Sequence, residues 1–230
     1  MHSGFMFICV DPPADDQAVA WQNALMKLFF ADISDEGIQS FSRDYERGGS
    51  YCHGWTGVYC RDGNVDRIYF FQCQHGNFNP SALPHSTTSI DISSSEQTFQ
   101  MHTRSLPRQL TYLNLSANRI CGRVDLMTLP PKLESALLWG NRLTGPIYLT
   151  NLPDTLYLLQ LQKNMIHQNV VWYDNLPKPE LTYPEQPLII VLAGSKAERE
   201  TNRIGKVRAV DRTKAAPCTT FPKFPPTNVY

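Results

Sequence analysis

Residues 106–128 read LPRQLTYLNLSANRICGRVDLMT, residues 129–151 read LPPKLESALLWGNRLTGPIYLTN, and residues 152–175 read LPDTLYLLQLQKNMIHQNVVWYDN. Each segment opens with Leu-Pro. The pair recurs at Leu83-Pro84 and Leu176-Pro177, so the steps from Leu83 through Leu106, Leu129 and Leu152 to Leu176 are 23, 23, 23 and 24 residues. A fixed period of this size marks a chain built from stacked, similar units.

The spacing inside the period defines the unit. Leu110, Leu113, Leu115, Asn118 and Ile120 follow L-x-x-L-x-L-x-x-N-x-I. Leu133, Ala136, Leu138, Asn141 and Leu143 repeat it, as do Leu156, Leu159, Leu161, Asn164 and Ile166. This is the leucine-rich-repeat pattern. Leu113 and Leu115 alternate on a short strand, so both point to one side. Leu110 and Ile120 fill the same layer from the turns. Asn118 sits where the chain leaves the strand, and its amide can both donate and accept to backbone groups that a buried turn would leave unpaired. One coil cannot bury its apolar side alone, whereas stacked coils share one core. The predicted fold is therefore an α/β repeat, a leucine-rich-repeat solenoid with a short parallel sheet on its concave face.

Outward from this middle the pattern weakens. Val65, Ile68, Phe70 and Cys73 fit the first half of the repeat, which gives Cys73 the ladder position that Asn118, Asn141 and Asn164 occupy later. That role argues against a disulfide at Cys73. Thr87, Ile90, Ile92 and Ser95 form a more polar coil. After Leu176-Pro177 the register fails. Residues 188–193 read as a displaced strand, and Asn202-Arg-Ile-Gly-Lys-Val207 echoes the exit from the strand at Asn118. The predicted organisation is a leader or disordered segment at 1–16, an N-terminal helical cap at 17–64, repeats at 65–182, an irregular closing repeat at 183–211 and a disordered tail at 212–230. The tail is rich in Pro, Lys and Thr and offers little to bury. In the cap region, Asp15 and Asp16 suit a helix start, and Val19, Leu25, Leu28 and Phe29 fall roughly on one helical face. A second amphipathic piece runs through Ile38 and Phe41.

The chain has 21 basic and 21 acidic residues and no net charge, which gives no indication of nucleic acid or an acidic membrane surface as partner. No apolar run approaches the length of a bilayer span. The apolar start at residues 4–10 lacks a basic flank and reads either as the stump of a signal peptide or as an ordinary hydrophobic beginning.

The second halves of the coils, Asn118-x-Ile120-x-Gly122-x-Val124 and Asn141-x-Leu143-x-Gly145-Pro146-Ile147, resemble the plant-type leucine-rich-repeat subclass. Residues 52–60, CHGWTGVYC, resemble the cysteine cap found with that subclass in receptor-like proteins, although seven residues separate the cysteines where six are common. The junction VDLMTLP at 124–130 resembles leucine-rich-repeat surface antigens of kinetoplastid protists. The resemblance covers residues 17 to 176. It implies a Cys52–Cys60 disulfide that staples a helix over the open end of the stack, and an extracellular or cell-surface location. The competing reading is a pair of reduced thiols in a cytosolic scaffold. Receptor-like kinases of this type carry a membrane span and a kinase domain, and neither pattern occurs here, so kinase activity is not implied.

No catalytic pattern is present: no H-E-x-x-H, C-x-x-C, G-x-S-x-G or phosphate loop. The histidines are scattered, no cysteine–histidine set has zinc spacing, and Asp32, Asp35 and Glu36 match no calcium loop but read as a helix end. No cofactor is expected. Asn114-Leu115-Ser116 has the form of a glycosylation sequon but falls on a predicted strand. Binding of a protein or peptide on the concave face is the expected function. The residues between the core leucines form columns there, and Tyr69, Phe71, Asp91, Tyr112, Asn114, Leu137, Trp139 and Gln160 are the candidate contacts, because exposed aromatics in a polar field are typical interface anchors. The alternative for Phe71 and Trp139 is packing against neighbouring coils.

Overall fold

A computed structural model describes residues 14–42, 49–178, 187–194 and 201–230. Of the segment predicted as leader or disordered at 1–16, residues 1–13 lie outside the described residues, while 14–16 belong to the first helix; residues 179–186, ahead of Leu188, also lie outside them. In chain order the regular elements are α1 (Ala14–Phe29), β1 (Asp32–Ile33), α2 (Asp35–Phe41), β2 (Val58–Arg61), β3 (Asn64–Tyr69), β4 (Gly76–Asn77), β5 (Ser89–Asp91), β6 (Tyr112–Asn114), β7 (Cys121–Arg123), β8 (Ser135–Leu137), β9 (Arg142–Thr144), β10 (Leu158–Gln160), β11 (His167–Tyr173), β12 (Ile189–Val191) and β13 (Arg203–Ala209). Short 3-10 turns join many of them.

The 23-residue period becomes one sheet in the order β12-β10-β8-β6-β5-β3-β2. Every pairing in it is parallel except the β2–β3 hairpin. Residues a whole repeat apart stand side by side, so Ile68, Ile90, Leu113, Ala136, Leu159 and Ile190 form one inward row. Phe70, Ile92, Leu115, Leu138, Leu161 and Leu192 follow in a second, and both rows are buried. Leu83, Leu106, Leu129 and Leu152 seal the layer from the Leu-Pro turns. β12 falls inside the stretch read as a displaced strand and lies beside β10 in register.

The asparagines join each coil to the one before it. Asn141 Oδ1 accepts from Ile120 N–H at 3.0 Å, while its amide donates to the carbonyls of Leu115 and Leu138 at 2.9 and 3.2 Å. Asn164 repeats the pattern with Leu143 N–H and the carbonyls of Leu138 and Leu161. Asn118 accepts from Ser95 and Gln97 N–H and donates to the Ile92 and Leu115 carbonyls. Asn202, beyond the irregular region, accepts from Ile166 N–H and donates to the Leu161 and Leu192 carbonyls. Where serine replaces asparagine, two side chains share the work. Ser95 Oγ accepts from Cys73 N–H, and Gln97, two residues later and buried, accepts from Phe78 N–H and donates to Gly76 O. Cys73 is a buried free thiol. Burial raises its pKa, against a weaker lowering contact from the His75 backbone.

At the N-terminal end the repeat gives way to rings. Phe70 and Phe78 stack at 4.5 Å, Phe29 lies 5.1 Å from Phe78, and Phe30 lies 4.9 Å from Trp55. Cys52 and Cys60 form a disulfide, with Cα atoms 5.5 Å apart. The apolar face assigned to α1 needs correction. Met26 and Phe29 are buried, but Val19 and Leu28 are 44% and 56% exposed. The third inward residue is Gln22, which accepts from Val65 N–H at 2.8 Å and donates to Gly63 O at 3.0 Å. The first strand thus selects a hydrogen-bonding side chain where a hydrophobicity pattern seeks an apolar one. Asp15 and Asp16, read as caps, lie inside α1. Asp35 and Glu36, read as a helix end, open α2 behind the cap residue Ser34.

The tail is also not as expected. Residues 212–230 carry 3-10 turns, and Phe221 and Phe224 are buried. The Phe221 ring lies 5.6 Å from Tyr173. Tyr173 Oη accepts from Ala216 N–H, Tyr230 N–H donates to Val207 O, and Tyr230 O accepts from Ala209 N–H. The composition of the tail gives it no core of its own, but the stack presents an open apolar end that two phenylalanines can cover. Among the described residues no helix is long and apolar enough to cross a membrane.

Two stability tests follow from this packing. Asn141→Ala strands a buried N–H and buried carbonyls, and denaturant unfolding should show a loss of about 3 kcal/mol. Phe221→Ala should cost about 3 kcal/mol as a core truncation; a loss near zero would mean that the tail does not pack.

Candidate interaction face

The inward rows leave the alternate residues on the open side of the sheet. Arg67, Ser89, Tyr112, Ser135, Leu158 and Ile189 form one column, and Tyr69, Asp91, Asn114, Leu137, Gln160 and Val191 the next. The backbone bonds from Gln72 to Ser93, Ser94 to Ser116, Ala117 to Trp139 and Gly140 to Gln162 carry the alignment into a third column, Phe71, Ser93, Ser116, Trp139 and Gln162. The register therefore brings all eight candidate contacts onto one face, but not in equivalent environments.

Tyr69 and Phe71 are each 51% exposed and lie at the N-terminal side. Tyr112, Leu137, Trp139 and Gln160 are half-buried. The Lys163 ammonium lies 6.0 Å from the Trp139 ring centre. In that column Gln162 Oε1 is buried and has no hydrogen-bond partner among the described residues.

Asp91 and Asn114 form the polar part of the face. Asp91 accepts from Ser93 N–H and Oγ through one oxygen and from the Asn114 amide, at 2.9 Å, through the other. Asn114 Oδ1 accepts from Ser116 N–H and Oγ. Asn114 is only 9% exposed and its amide is already engaged. It serves the sheet rather than a ligand, and attachment of a glycan to its nitrogen would break the bond to Asp91.

The sequence columns did not single out what surrounds Tyr69. Arg67 stands beside Tyr59 of β2, with its guanidinium 5.4 Å from the ring centre. Asp66 receives Arg61 at 3.3 Å, Arg67 at 3.8 Å and the Thr88 hydroxyl at 2.7 Å. One buried carboxylate thus faces two exposed guanidinium groups. β2 lies outside the repeat, so no periodicity could place Tyr59 or Arg61 there. The signal that was available is the Asp66-Arg67 pair at the entrance of the first strand. A cleft of about 860 Å³ lies elsewhere, between residues 173–178 and 215–220. Among the described residues no group of three or more His, Cys, Asp or Glu is placed to hold a metal ion.

Partial burial, then the nearby Asp91 carboxylate, raises the Tyr112 pKa, against a weaker lowering bond from Asn114. An ultraviolet titration, with Tyr112→Phe to identify the signal, should find this ring ionising later than free tyrosine. Asp91→Asn should move that ionisation to lower pH, and no movement would contradict the placement of Asp91 beside Tyr112.

No family model matches the chain, and no curated protein sequence matches it. Solved structures do. A pollen receptor kinase 3 structure is similar with a TM-score of 0.56 at 17% identity, over 90% of this chain and 99% of that one. The ectodomain of the Arabidopsis thaliana receptor kinase GASSHO1/SCHENGEN3, solved in complex with CASPARIAN STRIP INTEGRITY FACTOR 2, is similar with a TM-score of 0.52 at 15% identity, over 86% of this chain and 25% of that one. The likeness is one of fold, and it agrees with the coil spacing, the parallel sheet and the asparagine ladder: the chain has a leucine-rich-repeat fold similar to that of receptor-kinase structures.

Proposed function

We propose that the chain is a non-enzymatic recognition module: a solenoid, closed at its N-terminal end by α1 and the Cys52–Cys60 staple, that binds an extended protein or peptide segment on the open face of its sheet. The observation that carries this reading is the pair of half-exposed rings, Tyr69 and Phe71, beside Arg67 and Tyr59, on a sheet whose other side is fully buried. Aromatic and arginine side chains are the usual anchors of interfaces. Farther along, Tyr112, Leu137 and Trp139 extend an apolar path. The polar ladder of Asp91, Ser93, Asn114 and Ser116 separates the two apolar regions and fixes their spacing.

The disulfide favours an oxidising compartment, in keeping with recognition at the cell surface or outside the cell rather than a cytosolic scaffold. The similar GASSHO1/SCHENGEN3 ectodomain was solved with a bound factor, which supports a ligand-binding role for a fold of this kind.

Selection of a displayed peptide library on the intact chain, followed by titration of a recovered peptide, tests the site. Tyr69→Ala with Phe71→Ala should weaken binding by about 2 kcal/mol or more, while the thermal midpoint stays close to that of the unmodified protein because both rings are half-exposed. Trp139→Ala should weaken the same peptide. Unchanged affinity in all these variants would remove the site assignment.

A further inference from the structure

The open face carries a single acidic side chain. In the columns that run from Arg67 to Ile189, from Tyr69 to Val191 and from Phe71 to Gln162, that residue is Asp91. The register sets its surroundings. Tyr69 lies beside it on β3 and Asn114 beside it on β6. Ser89 and Ser93 are its same-face neighbours along the chain, and Tyr112 and Phe71 stand at the diagonals next to them. Tyr69 and Phe71 are half exposed, and Asp91 and Tyr112 are half-buried.

The bonds that hold Asp91 all come from neutral donors. Ser93 N–H and Oγ reach one carboxylate oxygen at 3.1 and 2.6 Å, and the Asn114 amide reaches the other at 2.9 Å. These bonds fix the carboxylate without neutralising it. Among the described residues no cation lies within ion-pair distance of Asp91. Arg67, at a diagonal to it, is engaged on the far side of β3, over the Tyr59 ring of β2 and against Asp66. Lys163 lies over Trp139. The uncompensated charge reaches Tyr112, where it is the next cause, after partial burial, of the raised phenol pKa. Each carboxylate oxygen offers about two acceptor positions. Ser93 fills both on one oxygen, and Asn114 leaves one open on the other.

We propose that Asp91, flanked by Tyr69, Phe71 and Tyr112, is the subsite for a lysine side chain of the bound peptide. The assignment rests on the reading of the open face as a peptide site and adds the chemistry that the peptide must carry. A lysine ammonium donates one charge-assisted bond to the open position on Asp91 and is attracted to the neighbouring ring faces. Half burial of the carboxylate strengthens the attraction over its value in bulk water. An arginine fork makes its paired bonds to an acceptor on each of two oxygens, and here only one oxygen has a position to give. A calcium ion takes six to eight oxygen ligands, whereas Asp91 is the only acidic residue of this face and no group of three or more His, Cys, Asp or Glu is placed for a metal among the described residues. The strands also set a spacing. From β3, with Tyr69, to β8, with Leu137, is three strand steps, about 14 Å, or about four residues of extended chain. Asp91 on β5 lies between these anchors, one step from the Tyr69 end.

Selection of a displayed random peptide library on the full chain tests the proposal. The recovered peptides should carry a lysine between two apolar residues about four positions apart. In a synthetic copy of one such peptide, norleucine in place of the lysine should weaken binding by about tenfold or more. That comparison uses the unmodified protein and does not depend on the folding of a variant. Against Asp91→Asn, checked by its circular dichroism spectrum and thermal midpoint, the lysine and norleucine peptides should bind equally. Recovered peptides that require Tyr69 and Phe71 but carry no lysine would overturn this subsite and leave the peptide-binding face standing. A lysine preference that persists in folded Asp91→Asn, or displacement of the peptide by millimolar calcium but not by sodium at equal ionic strength, would also overturn it. Recovery of no peptide would remove both readings.

Discussion

Each coil must turn out of its strand beneath the core, where backbone N–H and C=O groups meet no water. An unpaired group there costs about 1–3 kcal/mol, and every coil repeats the same turn. One amide side chain per coil solves this problem, because it accepts from the preceding coil and donates to carbonyls of both coils. The same bonds fix the stacking distance and the register. Without them the leucine rows would still favour burial, but the sheet would have no unique alignment. The coil with Ser95 shows that the requirement is chemical rather than a matter of residue identity. A shorter side chain is sufficient when Gln97 supplies the missing reach.

Register in turn determines the two outer surfaces. Alternation along a strand sends one residue of two into the core, and the other must face solvent. On the main sheet those residues include Tyr69, Phe71 and Tyr112, and on the flank Arg123, Arg142 and Arg203. The two surfaces differ in kind. The sheet face holds the Asp91 charge in internal bonds and leaves rings exposed. The flank formed by β7, β9, β11 and β13 presents Arg123, Arg142 and Arg203, which make no ion pair among the described residues. A single periodic framework can therefore present an aromatic face and a cationic face with little interference, because neither contributes to the core.

A stack has two open ends, and repetition cannot close them. At the N-terminal end an aromatic cluster fills the gap, with Gln22 satisfying the first strand's Val65 N–H. At the other end Phe221 and Phe224 return over Tyr173. Both closures use residues far from the repeat in sequence, and both rely on side-chain shape rather than on period.

The sequence by itself determined the repeat, the inward rows and the asparagine ladder, because these follow from a spacing that every coil must satisfy independently. It also determined which residues share the open face, since register multiplies one alternation across all strands. It did not reveal the state of those residues. Asn114 looked available, but it is buried and its side chain is bonded to Asp91 and Ser116. The buried role of Gln22, the partnership of Tyr59 with Arg67 and the order of the tail depend on contacts between segments that no local pattern links. The cationic flank was equally hidden, because its arginines lie in separate coils of a neutral chain. Only stacking brings them onto one flank, and the physical reason is that burial and charge density are properties of neighbourhoods in space, whereas a sequence pattern records neighbours along the chain.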